Sequence, residues 1–431
     1  MMNQAIVDAW PLIVPADETS TIHLIPAGSE WHWRQDVPYC VTVYPVEERG
    51  QAPGWLEHNT VVVRAQGDDL AIPWHFAGEQ EHVLLIRDNG PDGPTMPTID
   101  VRVYSLEPDL FHRRPYKGDV HTHSRRSDGR ELPAHVAAEG RRIGLDFLAV
   151  TDHRLFAPSL EALAAYEGVP LDMALFSGEE IHPPDNPVHI IHFGGARSVN
   201  ALFSEPRYRS EVQALMAEVE RGGLADADLY QYASCLWCFR EIARVGGLSM
   251  FCHPYWFTQH RYAPSGPLTD RLLREQPFDA FELIGGYWLN ELDSNKLQVA
   301  RYHELRGEGF DLPILGVSDA HGCSRGLFGW YYTLVLAESP VLGDLRAAVR
   351  DHYALAVEAL PGETVRPVGP FRMVKYALFL LAHILSQHDT LCTREGNLML
   401  HHIEGDPAAK DTLAILEGQT EALYDRLWAD A

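Results

Sequence analysis

Up to about residue 110 the apolar positions alternate with polar ones in short runs, TIHLIP, YCVTVYPV, NTVVVRA, HVLLIRD and TIDVRVYSL, broken by Gly, Pro, Asp and Asn. A period of two puts alternate side chains on one face of an extended chain, so these runs predict antiparallel strands with one buried face. About six strands at this spacing predict a small β-sandwich over residues 1–115, with FHRRPYKG as its exit and a boundary near Tyr116.

Beyond that boundary the texture becomes strand, helix, strand: GDVHTH, then ELPAHVAAEGRRIG, then LDFLAVTDH, followed by the short apolar runs FSGEEIH and VHIIHFGG. It returns at CFREIARVGG and LSMFCHP, at FDAFELIGG, and at SNKLQVARYHELRGEGF and LPILGVSDAHG. Such alternation predicts parallel strands with crossover helices over residues 116–340, and a barrel-like α/β layer in preference to an open sheet. Residues 341–431, including VKYALFLLAHIL, read as a helical C-terminal segment expected to pack on that layer.

With 46% hydrophobic and 22% charged residues the composition is that of a globular chain. No apolar run is long enough to span a bilayer, and the first residues, MMNQAIVDAW, lack the features of a secretory signal. A soluble, cytoplasmic protein is expected. The charge balance, 35 − 60 = −25, argues against an extended nucleic-acid platform. Six cysteines are too sparse for a disulfide scaffold, and CLWC (Cys235, Cys238) falls in a helical pattern as two buried small residues.

The 22 histidines change the picture, because many close a predicted strand together with acidic residues. His121 and His123 end the first strand after the boundary, with Asp128 following in SDG; His153 closes TDH; Glu180 and His189 fall on the next two strands; His253 follows Cys252; Asp319 and His321 lie in SDAH. In a parallel α/β barrel the carboxyl ends of the strands share one face, so these residues are expected to converge. Histidines at i and i+2 of a strand point the same way and can hold one ion. Glu179 and Glu180 must face opposite ways, so only one can join the cluster; His192, at i+3 from His189, faces away as a pocket or core residue, and His182 reads as a loop histidine that could line the rim.

The set HTH with SDG, TDH, GEEI, VHII, CHP and SDAH, in that order over about residues 117–335, resembles the polymerase-and-histidinol-phosphatase (PHP) superfamily of metal-dependent hydrolases. LDFLAVTDH and the stretch from FELIGG to GVSDAHG are most similar to its stand-alone branch of phosphoesterases and carbaryl-hydrolase-like proteins. The resemblance implies a distorted seven-stranded (β/α) barrel and two or three divalent ions of Zn, Mn or Fe. It implies His121, His123, Glu180 and Asp319 as ligands of the first ion, Glu180 as the bridge to a second completed by His189 and His253, and Asp128, His153 and His321 as the set for a third. The chemistry expected from such a centre is attack of a metal-activated water on phosphorus or a carbonyl carbon, with no protein nucleophile.

Asp152 resembles a carboxylate that orients ligands, and Arg125, Arg126, Arg154 and Arg325 follow metal motifs in loops where a guanidinium could clamp a phosphate, Arg325 being the preferred one. The expected activity is that of a phosphoesterase on a small phosphorylated molecule or nucleotide. A carbamate or carboxylic ester hydrolase is the first alternative, and a non-catalytic domain stabilised by its metals the second. The N-terminal domain is a candidate for contact with substrate or with a second subunit in a homo-oligomer.

Overall fold

The computed structural model describes residues 7–28, 31–48, 54–89, 96–324 and 326–430. The chain divides into two compact units, residues 1–114 with 378–386 and 418–431, and residues 115–377 with 387–417.

The described residues of the first unit form two sheets. One has the order Val7–Trp10, Glu18–Pro26, Leu70–Phe76; the other runs Ile13–Pro15, Ile99–Leu106, Gln80–Asp88, Tyr39–Pro45, Thr60–Val63. The alternating runs of the sequence are all strands here, with Val41 opposite Ile86 and Val43 opposite Leu84, all four buried. Leu70–Phe76 is a strand that the pattern did not predict. Pro73 within it reads as a breaker, yet this strand lies at the edge of its sheet, where a missing N–H is tolerated. The last residues of the chain belong to this unit. The Leu12 N–H donates to Leu427 O (2.7 Å) and the Ala429 N–H to Ile13 O (2.8 Å), so the C-terminus pairs along Ile13–Pro15.

The second unit is mixed α/β, and its described residues form two large sheets and the small antiparallel pair Phe257–Thr258 with Arg261–Tyr262. The six-stranded sheet has the order Ala174–Phe176, Phe147–Val150, Arg114–Thr122, Tyr331–Ala337, Ala354–Glu358, Arg366–Val368; the five-stranded sheet runs Gly178–Ile181, Ile190–Phe193, Leu248–Phe251, Ala280–Gly285, Ile314–Val317. Arg114–Thr122 and Phe147–Val150 are parallel, with helix Pro133–Arg142 between them in sequence. Leu248–Phe251, Ala280–Gly285 and Ile314–Val317 are parallel through helices Gly266–Glu275 and Leu292–Gly307. Val120, Phe147, Ile191, Met250, Leu315 and Val335, from both sheets, share one buried core. Gly118 lies opposite Phe147, and a Cβ there would stand 2.1 Å from that ring, so the strand pair closes only over glycine.

Two findings correct the sequence expectation. Ile190–Phe193 runs antiparallel to both of its neighbours, Gly178–Ile181 and Leu248–Phe251, so the layer is not uniformly parallel. Residues 341–431, expected to be helical, contain the strands Ala354–Glu358 and Arg366–Val368 before the helices Phe371–His383, Leu385–Ile403, Pro407–Leu416 and Gln419–Leu427. ALAVE is a short apolar run of the kind that a fully buried strand shows, and it pairs antiparallel with Tyr331–Ala337.

Candidate metal centre

Two single bridges join the sheets of the second unit at one rim, His153 with Glu180 and Thr122 with Ala320, both parallel. His121 and His123 stand at the end of Arg114–Thr122, His153 just beyond Phe147–Val150, His253 beyond Leu248–Phe251, and Asp319 and His321 beyond Ile314–Val317. These are carboxyl ends of strands. Because Ile190–Phe193 is reversed, its amino end meets the same rim, and His189 immediately before it joins the cluster while His192 inside it does not.

Glu180 is the hub. Its carboxylate is fully buried and lies within 4 Å of six imidazoles: His189 Nδ1 at 2.7 Å, His182 Nε2 at 3.4 Å, His123 Nε2 at 3.6 Å, His121 Nε2 at 3.7 Å, His253 Nε2 at 3.8 Å, and His153 Nδ1 in closer contact. Asp319 Oδ1 is 2.8 Å from His123 Nε2 and 3.2 Å from His121 Nε2. Asp128, more than half exposed, stands 3.4 Å from His153 Nε2 and 3.3 Å from His321 Nε2. The structure therefore brings together all nine residues proposed as ligands.

Electrostatics within the cluster are set by burial against opposite charge. Burial alone would push Glu180 up, but His189, His121 and His153 hold it well below its ordinary value; Asp319 is held down in the same way, chiefly by His121 and His123. Burial pushes His189 down to about 4 even against Glu180.

A divalent cation fits this donor set on one observation. Among the described residues neither oxygen of Glu180 nor Nε2 of His121 has a hydrogen-bond partner, although all are buried. Desolvated acceptors without donors are costly, and an ion among them is what would satisfy them. Mixed imidazole and carboxylate ligation suits a divalent metal ion.

A surrounding layer positions these groups. Glu282 Oε2 lies 3.1 Å from His121 Nδ1, which leaves Nε2 facing Glu180 and Asp319. The Asp319 carbonyl, 2.8 Å from His321 Nδ1, does the same for that ring. Among the described residues Asp152 makes no hydrogen bond or ion pair to an imidazole. Its buried carboxylate accepts from the backbone N–H of Ser124 (2.9 Å) and Ser127 (3.1 Å) and from both hydroxyls, bracing the loop that leads to Asp128. Asp119, which burial pushes up to about 7, accepts from the backbone N–H of His121 (3.1 Å) and Ser318 (3.2 Å), tying together two strands that carry ligand candidates. Arg154, His253 and Asp319 hold left-handed backbone, with φ of 60°, 24° and 49°. Non-glycine residues pay about 1–3 kcal/mol each for such conformations, and they cluster at functional sites.

Glu179 faces away, as its alternation with Glu180 requires. It lies 3.2 Å from His192 Nδ1 and accepts from Ser198 Oγ (2.6 Å) and the Val199 N–H (2.5 Å). Three contributors were not singled out as site residues by the sequence. His182 read as a loop histidine, but its Nε2 is 3.0 Å from His153 Nδ1. Glu282 and Asp119 carried a usable signal, an acidic residue inside an otherwise apolar strand.

Among the arginines, Arg126 is held by Glu161 (2.7 and 2.8 Å) and Arg154 borders a cavity, while Arg325 lies outside the described residues. Cys235 and Cys238 are buried, free thiols in helix Asp226–Arg244.

Two cavities open on the centre. One of about 400 Å³ is floored by ligand candidates, among them His153, Glu180, His253 and Asp319. The other, about 860 Å³, shares His189 with it and is bordered by Arg154, His182, Asn186, Ser198 and Asn200.

Fold and centre together define a mixed α/β protein with a buried imidazole–carboxylate cluster on a strand rim. No protein-family model matches the chain, and no curated protein matches it. Solved structures do. The chain is similar to a two-domain protein of Bacteroides vulgatus containing a predicted PHP-like metal-dependent phosphoesterase, at 20% identity and a TM-score of 0.41 over 58% of this chain. That match spans 66% of the Bacteroides chain, just under two thirds of its length. It is also similar to a protein of Bifidobacterium adolescentis assigned as a metal-dependent phosphoesterase (19% identity, TM-score 0.33, 48% of this chain and 88% of that one). A third likeness is to an amidohydrolase of Chromobacterium violaceum with bound sulfate (20% identity, TM-score 0.29, 48% and 87%). No helix of the described residues is long and apolar enough to cross a membrane.

Proposed function

We propose that the chain is a metal-dependent hydrolase, and that its substrates are small phosphoesters. The observation that carries this is the Glu180 carboxylate, buried in a ring of six imidazoles with no hydrogen-bond partner among the described residues. His121, His123, Glu180 and Asp319 would hold one ion, Glu180 with His189 and His253 a second, and Asp128, His153 and His321 a third, as the motif resemblance implies. Bound ions of this kind supply Lewis acidity, which activates water at neutral pH and neutralises negative charge on the reacting centre.

The remaining work falls to side chains. Glu282 fixes the His121 ring and Asp152 the loop before Asp128. Arg154, on the wall of the larger cavity, is the candidate clamp for a non-bridging phosphate oxygen. Seven strands, from Arg114–Thr122 to Ile314–Val317, linked by ladder pairs and the two single bridges, support a distorted seven-stranded barrel as the scaffold. The two sheets of the first unit support a sandwich.

One observation favours a second reading, hydrolysis of a carbamate or carboxylic ester: among the described residues lining the 400 Å³ cavity none is Lys or Arg. Assay of the Mn- or Zn-loaded protein against phosphomonoesters, phosphodiesters and aryl carbamates decides between them. Turnover of phosphoesters is expected; turnover of carbamates alone overturns the phosphoester assignment, and no metal-dependent turnover of any kind overturns the hydrolase. Arg154→Ala should lower kcat/KM on the phosphoester about 30-fold, the equivalent of about 2 kcal/mol for a charge-assisted contact, and leave the neutral carbamate nearly unchanged.

A further inference from the structure

Two tryptophans stand in the wall of the 400 Å³ cavity, and the chemistry above uses neither. Trp256 follows His253 in a tight turn, its backbone N–H donating to His253 O (3.0 Å), and its ring lies 5.9 Å from that of His189 and 6.1 Å from that of His253. Trp288 leaves the end of Ala280–Gly285, the strand that carries Glu282, and meets Trp330 edge-on at 6.1 Å. Both rings are partly open to solvent, 38% and 42% exposed.

Their placement is built into the surrounding backbone. Gly326, at φ +90°, has no side chain, and a Cβ there would stand 2.9 Å from the Trp330 ring and 3.0 Å from that of Trp288. The Ser294 hydroxyl donates to Tyr255 O (2.9 Å), tying the segment that bears Trp256 to the helix that follows Trp288. Apart from the ligand candidates and Glu291, the described wall offers Trp256, Trp288, Tyr287, Gly286 and Leu327, with no Lys or Arg, so selection there acts through planar contact.

We propose that this cavity binds a planar aromatic group of the substrate, stacked on Trp256 and Trp288, and hence that the substrates are aryl or heteroaryl esters. The proposal rests on the hydrolase assignment and narrows its substrate class. Water adds its hydroxyl to the acid portion and its proton to the departing aryl oxygen, so the products are the acid and the aromatic alcohol.

Calorimetric titration of the Mn-loaded full chain with phenylphosphonate and methylphosphonate tests this without turnover. Phenylphosphonate is expected to bind about 30-fold more tightly. Trp256→Ala and Trp288→Ala should each weaken the phenyl ligand about tenfold and leave the methyl ligand unchanged, and Trp288→Phe should retain most of the preference. Equal affinity of the two phosphonates overturns the aromatic subsite while leaving the phosphoester assignment intact. A phenyl preference that survives both alanine variants overturns the role given to these tryptophans. A parallel titration with phenyl and methyl N-methylcarbamate separates the two claims: if only the phenyl carbamate binds and no phosphonate does, the subsite holds and the phosphoester assignment falls. Binding of none of the four overturns both.

Discussion

Glu179 and Glu180 are adjacent, equally buried and chemically identical, yet alternation along one short strand sends them to different tasks. Glu180 enters the imidazole ring; Glu179 pins residues Ser198 to Asn200 and pairs with His192. Glu180→Gln should therefore lower kcat on any good substrate more than 1000-fold, on the order of 4 kcal/mol. Glu179→Gln should keep activity within about tenfold and lose about 1–3 kcal/mol of stability from its broken buried contacts. Steady-state kinetics and denaturant melts of the two variants check both halves, and the opposite ranking would place the strand one residue out of register. His189→Ala and His192→Ala should divide in the same way. At this scale the sequence was informative because alternation is rigid: once one residue of GEEI is assigned to the rim, its neighbour is excluded. His182 escaped because a loop residue has no such periodicity, and its side chain reaches the site through a conformation that spacing does not encode.

Among elements, the reversed strand Ile190–Phe193 is what the apolar pattern could not disclose. A fully buried strand of four apolar or polar-buried residues looks the same in either direction, and only its pairing with Gly178–Ile181 and Leu248–Phe251 reveals the reversal. A helix far along the chain shows a second such limit. On Leu385–Ile403, His388 Nε2 lies 2.7 Å from Asp146 Oδ1, which also accepts from Arg141 (2.8 Å), while Glu395 of the same helix accepts from Arg141 at 2.7 Å. Contacts 242 and 254 residues apart leave no local trace in sequence.

This network makes a pH prediction. Burial lowers the His388 pKa, but the Asp146 charge outweighs it and raises the imidazole well above its ordinary value; burial raises Asp146, and His388 with Arg141 brings it below its own. The histidine contribution is thus full below about pH 6.5 and is lost as the pH rises through the folded value, whereas the aspartate contribution is present above about pH 4 and lost on acidification. His388→Gln should cost about 3 kcal/mol near pH 6, and its gap from wild type should narrow toward alkaline pH. Denaturant unfolding of both proteins between pH 6 and 9 measures it; a gap that widens with pH would contradict the assignment.

For the molecule as a whole, a change from period two to alternating strand and helix near Tyr116 was visible in the sequence. The return of residues 418–431 to the first unit was not, because pairing of Ile13 with the far end of the chain depends on where the intervening fold delivers it. The second unit has a hydrophobic core of its own, so chelation should abolish activity and leave the fold intact. Ions that bind only the folded state add stability by mass action, and the melting temperature should fall by about 5–10 °C when they are removed. Circular dichroism melts with and without EDTA show whether it does; unfolding at 25 °C on chelation would mean that the ions hold the fold together.

The central claim is that Glu180 joins neighbouring metal sites. It is tested most directly by elemental analysis of the protein purified without chelator and then equilibrated with Mn or Zn, wild type beside Glu180→Gln. At least two ions per chain are expected in the wild type, with a clear loss in the variant, because the set of nine proposed ligands is larger than one tetrahedral site can use. One ion or none in the wild type after equilibration, or full occupancy in the variant, would contradict it.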